Sequence, residues 1–264
     1  MIKIHLHALY GILYKELLRF VKQKGRFFSS LVRPLLWLLI FAVGFRSVLG
    51  IAIIPPYETY ITYDVYIMPG LIAMILLFNG MQSSLSIIFD REMGSMKVLL
   101  SSYINRNFLL FAKMLSTAIV SLIQAIVFLV ICYFYGIYFP LLGFFAVFVA
   151  IVISSIIINA LAIFISSTIK QLENFAAVMN FIIFPMFFLS PALYPLWKLQ
   201  ESSLWLYYLS LANPFTHIVD FIRYSVYAKM YLDNVLIVLA LLVGSLVLAF
   251  VSYSPKNIFG SGRG

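Results

Sequence analysis

From Leu141 to Thr168 the chain carries no charged side chain, and five further stretches are nearly as apolar. A bilayer core of about 30 Å takes roughly 20 mostly apolar helical residues to cross. Six segments reach that length, approximately 28–49, 66–89, 109–135, 141–168, 174–194 and 233–252. In lipid the backbone finds no water to bond, so open chain segments cross it as helices. The expected fold is an all-α integral membrane protein with six transmembrane helices. Composition agrees: 64% of residues are hydrophobic and 10% charged, against about half and a quarter in a soluble domain. The first segment is the least clean. Arg33 and Arg46 bracket its apolar stretch from Pro34 to Phe45, and both would have to snorkel toward opposite headgroups. The fourth is long enough to tilt or to run past the interface.

An even number of spans puts both termini on one side, and the bases say which. Of 18 Lys and Arg, 14 fall with the termini, the loop after the second span and Lys170. The opposite side holds 4, namely Arg46, Lys198, Arg223 and Lys229. Acids divide 4 to 5, so the bias belongs to the bases, and it places both termini in the cytoplasm. The expected location is a cell (inner or plasma) membrane, crossed many times. The net charge of +9 then reads as a topology signal, with no nucleic acid partner implied.

Before the first span, Leu6, Leu9, Tyr10, Leu13, Leu17, Phe20 and Val21 follow three- and four-residue spacing, with Lys15, Arg19 and Lys22 mostly elsewhere. That pattern predicts an interfacial helix in the headgroup plane, its basic face toward anionic lipid. A plain positive anchor that fixes topology is the alternative. Basic residues are spread through the first thirty positions without a compact apolar core and cleavage site, so no cleavable signal is expected. Three regions follow: the interfacial segment 1–27, the transmembrane domain 28–252 and a cytoplasmic tail 253–264.

Catalytic constellations are missing from the sequence. It has no GxxxxGK[ST] phosphate cradle, no HExxH, no GxSxG and no cysteine pair. Cys132 stands alone in an apolar run as a packing residue, and His5, His7 and His217 are too dispersed in topology to share a metal. The spans hold almost no carboxylates, which argues against ion-coupled transport. Their polar residues are amides: Asn79 and Gln82 in the second span, Gln124 in the third, Asn159 in the fourth and Asn180 in the fifth. Amides in lipid ordinarily bond across helices; contact with a substrate along a pathway is the other reading.

Two polar sections remain. Residues 90–106 form a charged, amphipathic interruption, with Asp90 and Glu92 at its start and Lys97 and Arg106 further on. Met93, Met96, Leu99, Leu100, Tyr103 and Ile104 recur at helical spacing. This reads as a short helix built to seat in a cytoplasmic partner. Between the last two spans, Tyr194 to Asp233 is neither apolar enough to cross nor polar enough to be a free loop. Trp197, Leu204, Trp205, Tyr207, Tyr208 and Leu211 suggest short helices dipping into the outer leaflet across 195–232, broken by Pro191, Pro195 and Pro214. Pro191, Tyr194, Pro195 and Pro214 are the candidate outer gate, with an interfacial aromatic belt as the alternative.

The segment "DREMGSMKVLLSSYINR" resembles the coupling helix of ABC-2 type transporter permeases. The likeness continues through "RPLLWLLIFAVGF", "YIMPGLIAM", "LSPALYPL" and "NPFTHIVDFIR", in order, over roughly residues 15–252. Lys97 stands where many members carry Glu, and Tyr103 where Pro often follows Ser. The resemblance implies a pathway between two permease subunits, as a homodimer, with two copies of an ATP-binding subunit docked beneath. ATP and Mg would belong to that partner and no cofactor to this chain, which is then not itself an enzyme. Coupling would fall to Asp90, Arg91, Glu92, Met93, Gly94, Ser95, Met96, Lys97, Leu99, Leu100 and Arg106. The acids would complement the helix dipole, and the methionines and leucines would fill the partner's cleft. Members of the family move drugs, lipids or lipid-linked glycans outward. A secondary transporter or channel working without ATP is the competing reading.

Overall fold

The computed structural model describes residues 2–22, 24–41, 44, 56–57, 59–93, 104–169 and 172–253. Every regular element among them is helical. We number these α1 (Ile2–Lys22), α2 (Lys24–Leu36), α3 (Tyr63–Glu92), α4 (Arg106–Phe134), α5 (Leu141–Thr168), α6 (Leu172–Phe188), α7 (Leu196–Ser202), α8 (Leu204–Ala212), α9 (Pro214–Val226) and α10 (Leu232–Ser252).

Among the described residues, four helices are long and apolar enough to cross a membrane: α3, α4, α5 and α10. They match four of the six expected spans to within a few residues. The other two are shorter. The helix α6, 17 residues long, spans about 26 Å at 1.5 Å per residue and stops at Phe188, where the expected span continues to 194. Of the expected first span, the described residues show α2, the π-helical turn Trp37–Phe41 that extends it, and Gly44 in helical conformation. Pro34 inside α2 removes one backbone donor just before that turn, and a widened turn is one way to absorb the break. Much of its second half, Arg46 included, lies outside the described residues.

The central strut is α3. Its most apolar stretch is 72% buried, whereas that of α10 is 17% buried. A helix that is apolar all round belongs inside a bundle, and an apolar helix left uncovered faces lipid. Accordingly α3 meets α5, α4, α9, α2 and α6, while α10 leans mainly on α5 and α9.

Two placements differ from the sequence expectation. The helix α1 follows α4 lengthwise: His5 meets Phe108 edge-on, ring centroids 4.8 Å apart, and Glu16 and Phe20 lie with Thr117 and Val120 around one small cavity. Its open side carries Leu6, Tyr10, Tyr14 and Val21. The second difference concerns Asp90 and Glu92. The α3 helix runs on through them, because the apolar pattern of Ile87, Ile88 and Phe89 continues without a stop. Those acids therefore lie in the last turn of α3, and residues 94–103 of the expected coupling helix lie outside the described residues.

Candidate functional site

The end of the bundle where α3 begins is a knot of three elements. After α6 the chain turns at Pro191, and the Pro191 carbonyl points at α3 and α9. It accepts a hydrogen bond from the Tyr66 hydroxyl at 3.0 Å and another from the Arg223 guanidinium. Arg223, whose side chain is 5% exposed, donates through Nη1 to Asp220 Oδ1 at 2.8 Å. Its guanidinium also stacks over the Tyr66 ring, 4.3 Å from the centroid. A buried cation is tolerable only when paired and bonded, and all three partners are supplied here. Burial pushes the Asp220 carboxyl upward, against the pull of Arg223. Tyr57 packs edge-on against Tyr227, and burial pushes its hydroxyl up to about 12.

Close backbone approach completes the knot. A Cβ on Gly70 would come within 2.6 Å of the Ala192 Cα, so the turn after Pro191 sits directly on α3. Gly143, at the start of α5, likewise touches the Val226 backbone at the end of α9. Asn213 ties the far side. Its Nδ2 donates to the Met186 and Leu189 carbonyls at 2.7 and 2.9 Å, covering free acceptors at the end of α6. Its Oδ1 accepts from the Phe215 amide at 3.0 Å and caps α9.

The prolines expected to break helices here instead start them. Pro195 is the residue before α7 and Pro214 the first residue of α9, positions where a missing N–H costs nothing. Tyr194 bonds the Phe188 carbonyl and folds the turn back on α6. The two readings of this section divide between helices. The α8 helix exposes Trp205 and Tyr208 as a belt would, whereas α9 buries Phe215, Ile218, Val219 and Ile222.

A second polar cluster lies deeper. Asn79 Nδ2 donates to Ser121 Oγ at 3.0 Å and to Gln124 Oε1 at 2.5 Å, while Gln124 Nε2 donates to Ser30 Oγ at 2.7 Å. One turn inward, Thr117 Oγ1 bonds Ser83 Oγ at 3.0 Å. This seam stitches α2, α3 and α4 and requires only helical spacing: Asn79 and Ser83 share a face of α3, and Thr117, Ser121 and Gln124 share one of α4. Interhelical bonds in membranes average about 0.6 kcal/mol and reach about 1.7. Gln124→Leu, which cuts links to both neighbouring helices, should lower stability by about 1–2 kcal/mol in a detergent unfolding titration. Asn79→Leu should cost less, because Gln124 keeps Ser30.

The remaining amides behave differently. Asn159 bonds back to the Ser155 carbonyl at 2.7 Å, and its buried Oδ1 has no hydrogen-bond partner. Gln82 is half-buried, and Asn180 is exposed on α6. Of the expected coupling residues, Asp90, Arg91 and Glu92 form the last turn of α3, Met93 follows it exposed, and Arg106 opens α4. Gly94, Ser95, Met96, Lys97, Leu99 and Leu100 lie outside the described residues. Tyr66, Asn213 and Arg223 fall within the stretches "YIMPGLIAM" and "NPFTHIVDFIR" that carry the family resemblance, but nothing local shows that they meet in the fold. The Asn-Pro pair at 213–214 was the one local signal, a helix start.

The family described as ABC-2 type transporter matches residues 7–227. A protein of Cyanophora paradoxa named "Putative transport permease ycf38" is 28% identical over 225 residues, covering 81% of this chain and 72% of that protein. One of the same name from Porphyra purpurea is 27% identical over 201 residues, covering 74% of this chain and 66% of that protein. A third, from Pyropia yezoensis, is 24% identical over 239 residues, covering 84% and 76%.

Proposed function

This chain belongs to the ABC-2 type transporter family, and from that membership we propose that it is the permease subunit of an ATP-driven exporter. Two copies form the pathway, and a separate ATP-binding subunit docks under each. Both termini and the 90–106 segment face the cytoplasm of a cell membrane, and the cargo is an amphipathic or hydrophobic molecule.

The observation that carries the reading, beyond membership, is α3. It is one continuous helix of 30 residues, about 45 Å long at 1.5 Å per residue. Its outer end is clamped in the Pro191–Arg223 knot, and its inner end enters the segment that would meet the partner. Force applied near Met93 is thus delivered to the outer cap without an intervening loop. The Arg223 knot is the latch of that outer gate, and the turn after α6 is its moving part.

Orientation is tested with a cysteine in place of Ser102 in a Cys132→Ser background. It should react with an impermeant thiol reagent only from the cytoplasmic side; labelling of intact cells from outside would overturn the reading. The division of labour is tested by ATP turnover. The purified chain alone should show none, and co-expression with its cognate ATP-binding subunit should restore it.

A further inference from the structure

Arg33 lies beside the middle of the apolar helix α3. Its guanidinium carbon stands 3.6 Å from the centroid of the Phe78 ring, and Phe78 is roughly 16 Å inward from the Phe89 end of α3 at 1.5 Å per residue. Ser30, one turn earlier on α2, is held at the level of Asn79 and Gln124 by the seam. Both observations put the charge well away from the cytoplasmic rim to which sequence alone assigned it.

The cation is also exposed, and among the described residues it has no carboxylate and no hydrogen-bond acceptor. The Phe78 ring covers one face of the guanidinium and leaves its donor edge open. A charge at this depth cannot be left to acyl chains; such residues face protein or a wet cavity and mark substrate paths. The neighbouring α6, joined to α2 where Trp37 meets Phe187 with centroids 6.0 Å apart, likewise exposes an amide, Asn180. Close by, Leu77 and Met81 of α3 line a small, partly open apolar cleft shared with α5 and α6. The open guanidinium of α2 thus sits over Phe78, next in sequence to Leu77 and three residues from Met81 of that apolar cleft.

We propose that Arg33 is a binding residue for the anionic headgroup, of phosphate type, of an amphipathic cargo whose apolar part lies along α3. Guanidinium suits this task because its planar fork bonds two oxygens at once. The assignment rests on the transport reading for the word cargo, while the site itself rests on charge, depth and exposure.

The test uses the full chain in phosphatidylcholine nanodiscs. Trp197→Phe and Trp205→Phe leave Trp37, one turn beyond Arg33, as the only tryptophan of three. Dodecyl phosphate should change Trp37 fluorescence saturably, and dodecyl maltoside should not. Arg33→Gln should weaken dodecyl phosphate at least tenfold and Arg33→Lys less. Equal responses to the phosphate and the maltoside would overturn the proposal without any variant, as would unchanged affinity in Arg33→Gln. Inorganic phosphate binding as tightly as dodecyl phosphate would mean a free anion and defeat the amphipath assignment. Should phosphatidylglycerol in the discs abolish the response, bulk lipid owns the site and the cargo assignment falls. No ATP-binding partner is present in this measurement. Loss of export with intact anion selectivity would therefore sink the transport reading and leave the anion site standing.

Discussion

Arg223→Met will cost the protein about 3–5 kcal/mol, the range for removing one partner of a buried ion pair. Three interactions go at once: the bonds to Pro191 and Asp220 and the stack on Tyr66. Asp220 is left facing a buried region without its counterion, and the Pro191 carbonyl keeps only Tyr66. Against a total stability of about 5–15 kcal/mol, that loss should be visible as a large drop in unfolding midpoint in detergent and in folded yield. Asp220→Asn provides the graded control. It keeps an acceptor for Arg223 but removes the counterion of a guanidinium only 5% exposed, so it should cost about 1.5–3 kcal/mol, less than Arg223→Met. Lys198→Gln is the matched outer-side control: Lys198 is half-buried over Trp197 at 5.6 Å, so its loss should stay within about 0.5–1 kcal/mol. An Arg223→Met midpoint equal to that of Lys198→Gln would show that the knot does not hold the cap.

What the sequence could and could not say follows from which signals are local. The long spans α3, α4, α5 and α10 are legible because run length and apolarity need no tertiary information. The α6 helix was overextended because its end is set by Pro191, whose turn is fixed by Tyr66 and Arg223, far away in sequence. Arg223 itself was counted as one of four external cations, and a charge count says nothing about burial. The α9 pattern is amphipathic either way; only packing on α3 and α5 decides that its apolar face turns inward. Asn79 and Asn180 illustrate the same limit. Both are amides in apolar runs, yet one bonds across helices and the other lies open on α6. Gly70 and Gly143 carried no local mark of the backbones they touch.

Met96→Asp and Gly94→Pro should each lower export and partner-stimulated ATP hydrolysis more than 100-fold while leaving membrane insertion unchanged. A hundredfold corresponds to about 2.7 kcal/mol, and either change can supply it. In the proposed complex Met96 lies on the apolar stripe that fills the partner's cleft, and a carboxylate there loses its water without gaining a counterion. If the proposed lever is helical at 94, proline there removes a backbone donor and clashes with the preceding turn, at about 3 kcal/mol in a helix interior. Insertion is spared because both positions lie between spans, where topology is governed by flanking bases that neither change touches. Ser95→Ala, on the polar side of the same stripe, should remain near parental activity. The comparison separates a lever from a passive loop: a loop tolerates all three, and a lever fails for the two that disturb its packing or its helix. The measurement is ATP-dependent efflux from proteoliposomes containing both subunits, with insertion checked by protease protection. In the proposed complex α3 would carry a push on this segment to Tyr66 and Gly70, so failure of the lever should also freeze the turn after α6. A cysteine replacing the buried Leu193 would then lose any ATP-dependent change in its labelling rate, which links the two ends of the helix in one experiment.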